Sequence, residues 1–103
     1  MKPLTLYTDF RVYLKEIIQF RKDNGFPASN RYFAKKLGIN SSSWLTAILK
    51  GTRNLNKRNI IKLSKLLKHN KLESYYFETL VFFNQSRTIE ERNHYFQELG
   101  ILQ

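Results

Sequence analysis

Four runs of this chain place their apolar residues three or four positions apart, and each run stops at one of its four glycines. Such spacing gathers the apolar side chains on one face of a 3.6-residue turn, so helices are the expected product. The first run opens with Thr8 as N-cap and extends to about residue 24, with Phe10, Leu14, Ile17 and Ile18 as its buried stripe. Gly25 closes it and Pro27 prevents its resumption. A short second helix follows a Ser29 cap, covers Asn30 to Leu37, turns Phe33, Ala34 and Leu37 inward and stops at Gly38. Ile39 then faces inward, Asn40 or Ser41 caps a third helix reaching about Lys50, and Gly51 ends it. The last of the four opens on Thr88-Ile89-Glu90-Glu91, which reads as a capping box, runs to about Leu99 and ends at Gly100.

Two more helices are expected without a closing glycine. Asn56 caps one that reaches about His69, with Ile60, Leu63, Ser64 and Leu67 on one face, widened by Ile61 and Leu66. The other spans about Leu72 to Gln85 and carries so many aromatic and aliphatic residues that little polar face remains. That composition predicts a central helix, or one that buries part of itself in a partner. No segment alternates with period two between hairpin turns, so no strand is predicted. At 103 residues, 42% hydrophobic, the chain suits one domain around one core.

The charge is concentrated. Between Asp23 and Glu73 there is no acidic residue but eleven Lys or Arg. Residues 24–72 contribute +11 of charge, against +2 from residues 1–23 and −3 from residues 73–103, giving +10 in all. A folded block of one sign repels itself, and the block overlaps the second and third helices, so a polyanion is the partner to expect. The absence of cysteine excludes disulfides and thiolate-bound zinc and fits a reducing cytoplasm. There is no apolar run long enough for a membrane span and no signal-peptide stretch. His69 and His94 stand apart, without a set of carboxylates at ligand spacing, so neither a metal nor another cofactor is expected. The Ser41-Ser42-Ser43 run has no adjacent base, and an enzyme is not expected.

With Leu45 set inward, the 100° step of a helix puts Ile48 and Leu49 beside it, Trp44 and Thr46 on the borders, and Ser43, Ala47 and Lys50 outward. Trp44 is expected to pack between helices rather than to stack on a sugar. The outward side is slim, polar and basic, as entry into a groove about 12 Å wide requires. Ser42, Ser43, Thr46, Ala47 and Lys50 are therefore the candidate base readers. Ala34 followed four residues later by Gly38, with Ile39, Leu45 and Ile48 inward, is a helix-turn-helix spacing, with its core at about 29–51 and supporting helices at about 8–24, 57–69, 72–86 and 89–99. Arg31, Lys35, Arg53, Asn56, Lys57 and Arg58 are the candidate phosphate contacts; Asn56 contributes through the helix N-terminus it caps. The lysines at 62, 65 and 68 fit equally well as a solvated face.

The stretches Phe33 to Asn40, Gly51 to Asn56 and Ile60 to Leu67 resemble the lambda repressor/Cro type of helix-turn-helix. More closely, residues 7–99 resemble the N-terminal part of a bacterial family of predicted transcriptional regulators. The resemblance lies in Tyr7-Thr8-Asp9-Phe10, Phe33 to Gly38, Ser43-Trp44-Leu45, Gly51 to Asn56 and Tyr76 to Gln85. It implies transcriptional control through duplex DNA. The expectation is thus an all-α, compact bundle of five to six helices that binds double-stranded DNA, with a homodimer seam through helices 5 and 6 as a further option. The competing expectations are an RNA-binding protein with a basic face and a helical protein-interaction or oligomerisation module.

Overall fold

The computed structural model describes all 103 residues. After a single 3-10 turn at Leu4–Leu6, six helices follow: α1 (Phe10–Asp23), α2 (Asn30–Leu37), α3 (Trp44–Lys50), α4 (Lys57–Leu66), α5 (Lys71–Asn84) and α6 (Ile89–Leu102). There is no strand. No helix is long and apolar enough to cross a membrane. The radius of gyration, 13.5 Å, matches the about 13 Å of a compact chain of this length.

The aromatic-rich α5 is the central helix, packing on α1, α4, α6 and the N-terminal 3-10 turn. Tyr76, Phe77, Leu80 and Val81 on it are fully buried, with Phe10, Leu14, Phe33, Trp44, Ile48, Ile60 and Leu63 around them from the other helices. The few polar groups in this core are paired. Tyr76 donates its hydroxyl to the carbonyl of Tyr7 at 2.6 Å. His69 lies between the Tyr13 hydroxyl, 2.7 Å from Nε2, and Ser64 Oγ, 3.1 Å from Nδ1. Burial pushes the Tyr13 phenol well above its ordinary value and lowers the His69 imidazole, the latter against a smaller opposing pull from Glu73.

Several helix ends differ from expectation, each for a local reason. Asp9, not Thr8, caps α1: its carboxylate accepts from the N–H groups of Arg11 and Val12, while the Thr8 carbonyl is taken by the Asn84 amide. The third helix begins at Trp44, after Ser41 to Ser43 fold into a turn with Ser41 Oγ 2.8 Å from Ser43 Oγ and Trp44 N–H donating to the Ser41 carbonyl. Such serine turns compete with helix. Helix α4 stops at Leu66, short of His69, because Lys68 takes a left-handed backbone at φ 57°. A full capping box sits at Asn70 and Glu73; at Thr88 only half of one forms, since the Glu91 carboxylate accepts from Arg87 N–H instead. Finally, α6 continues through Gly100 to Leu102, anchored by buried Leu99 and by the Gln103 amide, which donates to the Thr5 carbonyl and the Tyr76 hydroxyl.

Candidate nucleic-acid interface

Helices α2 and α3 are joined by a tight exit at Gly38. Its left-handed backbone, φ 72°, lets Ile39 N–H return to the Ala34 carbonyl at 2.8 Å while Gly38 N–H reaches that of Lys35. Lys62 of α4 closes this end by donating to the Leu37 carbonyl at 2.8 Å. A cation on the last carbonyls of a helix is favourable to its dipole. Lys62 thus supports the fold, while Lys65 and Lys68 beside it are exposed. Gly51 ends α3 in the same way, with Thr52 N–H, Thr52 Oγ1 and Arg53 N–H all directed at the Ala47 carbonyl.

On α3, Trp44, Leu45 and Ile48 are buried, so Trp44 packs into the core. Ser42, Ser43 and Lys50 are exposed. Thr46 and Ala47 are half-buried, so Ala47 does not point directly outward as its position on the helical wheel implies. Thr46 is engaged as well: its Oγ1 accepts from Asn30 Nδ2 at 2.8 Å, leaving its own O–H free to donate. Asn30, at the first turn of α2, was not among the expected contacts, and it ties one candidate reader to the neighbouring helix.

The expected phosphate contacts fall into two groups. Arg31 and Lys35, both exposed on α2, line a shallow cavity of about 520 Å³ with Gly38, Asn40 and Ser42. A second cavity of about 680 Å³ places Lys22, Ser29 and Asn30 beside the same Arg31 and Ser42. Lys22 is a further exposed cation on this side that charge counting along the sequence assigned to another segment. Arg53, Asn56, Lys57 and Arg58 form the other group, exposed on the loop after α3 and the first turn of α4. The Asn56 side chain is itself occupied as the α4 cap, accepting from Asn59 N–H at 2.8 Å. Lys57 leans toward Glu78 of α5, 4.0 Å away, with 68% and 32% of the two side chains exposed. A pair so open contributes little and leaves Lys57 free to turn to another anion.

Two supports were not visible in the sequence. Arg11 of α1 reaches across to the far end of α3, where Nε donates to the Ile48 carbonyl at 2.8 Å and one terminal nitrogen to Asn54 Oδ1 at 3.1 Å and the Arg53 carbonyl at 3.4 Å. Its planar fork fits this arrangement of acceptors. At the end of α5, the Gln85 amide clasps Leu55, accepting from its N–H at 2.8 Å and donating to its carbonyl at 2.9 Å. Asn84 beside it accepts from Phe10 N–H at 2.8 Å and donates to the Thr8 carbonyl at 3.0 Å. One Asn-Gln pair therefore holds both the start of α1 and the loop carrying Arg53 and Asn56. No protein-family model, curated protein or solved structure matches the chain.

Proposed function

We propose that the chain is a helix-turn-helix DNA-binding protein, acting as a transcriptional regulator. In this reading α3 enters the major groove and α2 lies across the backbone. Ser43 and Lys50, with the free Thr46 hydroxyl, meet base edges, and Ala47 supplies apolar contact at the margin. Arg31, Lys35, Arg53, Lys57 and Arg58 meet phosphates, joined by the backbone N–H groups at the start of α4. One observation supports this reading above the others: a slim, exposed helical edge at Ser43 and Lys50 is flanked on both sides by exposed cations, in a stretch without one carboxylate.

The test is fluorescence anisotropy on duplexes selected from a random pool, repeated across a salt series. Affinity is expected to fall with a log–log slope of about −0.9 for each phosphate neutralised, hence about −4 to −5 for five cations. Lys50→Ala combined with Arg53→Ala, both at exposed sites, is expected to weaken binding about tenfold or more with the melting temperature unchanged. A flat salt response, or selection of structured RNA over duplex in direct competition, removes the proposal.

A further inference from the structure

The C-terminal half of α1, the Phe26–Pro27 bend, Tyr32 of α2 and the end of α4 enclose a groove of about 430 Å³. No residue of α3 or of the α3–α4 loop lines it. Its base is apolar, made by half-buried Ile17, Leu66 and Leu67, and its walls carry two rings that the fold leaves in water: Phe20 is 43% exposed and Phe26 56%. Two exposed rings beside an apolar floor, bounded by polar groups, offer apolar side chains a seat.

The charges around the groove are of one sign. Arg21 and Lys68 are its only charged lining residues, and no carboxylate is among them. Arg21 spends Nε on the Pro27 carbonyl at 3.0 Å, its guanidinium carbon 5.8 Å from the rings of Phe26 and Tyr32, and its terminal nitrogens make no hydrogen bond. Lys36 lies 5.8 Å from the Tyr32 ring and adds a third cation at the rim. Lys68 is the one residue other than glycine with a positive φ. At the other three left-handed positions, each just past a helix, the chain has Gly25, Gly38 and Gly51. A lysine held where glycine is the more stable choice is an observed backbone strain, and strain of that sort collects at working surfaces.

We infer that this groove docks an acidic, amphipathic peptide segment of a partner protein. The segment seats apolar side chains between Phe20 and Phe26 and sets carboxylates against Arg21 and Lys68. Charge complementarity selects this occupant. A basic segment would enter the strongly cationic middle of the chain against its field, and a neutral one would leave Arg21 and Lys68 without a partner. A nucleic-acid duplex would match the charge but, with its bases stacked inside, would offer nothing apolar to the two exposed rings. The inference does not depend on DNA binding, because it uses a different surface.

The experiment uses the full chain and two labelled helical peptides. One carries Leu and Trp along one face and Glu along the other; the second has every Glu replaced by Lys. The acidic probe is expected to bind saturably and to weaken with salt, and the basic one not to bind. Phe20→Ser with Phe26→Ser is expected to weaken the acidic probe at least tenfold, with folding checked by circular dichroism. Lys68→Gly gives the sharper readout: thermal stability rises while the acidic probe binds several-fold more weakly. A merely structural Lys68 would not move the second quantity. Absence of saturable binding, equal binding of the two peptides, unchanged affinity in Lys68→Gly or in the serine pair, or displacement of the probe by an equimolar DNA duplex each overturns the inference.

Discussion

Lys68 and His69 are neighbours whose energetics oppose their surroundings, and neither effect is written in the local sequence. The left-handed backbone at Lys68 costs about 1–2 kcal/mol in a residue with a Cβ, partly offset by the smaller unfolded-state freedom of lysine relative to glycine. Lys68→Gly is therefore expected to stabilise the chain by about 0.5–1 kcal/mol, read from the urea midpoint at unchanged m-value. The helix ends marked by Gly25, Gly38 and Gly51 were legible because glycine advertises the left-handed turn. The same turn made with lysine gave no sign, and α4 was read three residues too long. At His69, burial is the main cause of a lowered imidazole pKa. The unfolded chain then binds more protons than the folded one, so this contribution to stability is complete above about pH 6.5 and is lost as pH falls below it. Protonation also turns both ring nitrogens into donors, so whichever of the Tyr13 and Ser64 hydroxyls was donating must reverse. Thermal unfolding followed from pH 7 to pH 5 should show the loss, and His69→Gln should flatten that part of the profile.

At the scale of the helices, existence was easier to read than ends. All six appear where the apolar period places them, although two of the expected caps moved, because packing of a stripe needs only the right spacing. The ends that moved did so through contacts no local pattern contains. Helix α6 passes through Gly100, at a helical cost of about 0.5–1 kcal/mol, because Leu99 and Gln103 hold its last turn to the core. The closing Asn84-Gln85 was legible as a motif, but not as a clasp, since its partners lie 30 to 76 residues away. Gln85→Ala leaves the N–H and carbonyl of Leu55, a residue 3% exposed, without their partners. A loss of about 1–3 kcal/mol in urea denaturation is expected. The Arg11 fork was hidden for the same reason. Arg11→Met is expected to keep the helical content and to weaken duplex binding several-fold, because the far end of α3 loses its tether to α1. Circular dichroism beside anisotropy titration separates the two effects.

Across the molecule, eighteen Lys and Arg face eight Asp and Glu, and the only ion pair is the open one between Lys57 and Glu78. The imbalance was plain from counting charges; that so few of them pair was not, because pairing depends on which helices meet. With attraction scarce and repulsion general, added salt should stabilise the fold, not weaken it. Raising ionic strength from 0.01 M to 0.15 M shortens the screening length from about 30 Å to about 8 Å. An increase of about 2–4 °C in melting temperature is expected, equivalent to about 0.5 kcal/mol in a domain of this size. A fall would mean that ion pairs dominate. The clasp of Asn84 and Gln85 also bears on how the protein is made. Synthesis proceeds from the N-terminus, so α1, α2 and α3 leave the ribosome before the two amides that hold the start of α1 and the loop after α3, and before the α5 helix on which α1 packs. A nascent chain stalled ahead of residue 85 therefore exposes its basic segment without a settled shape, and that shape arrives only once the end of α5 has emerged.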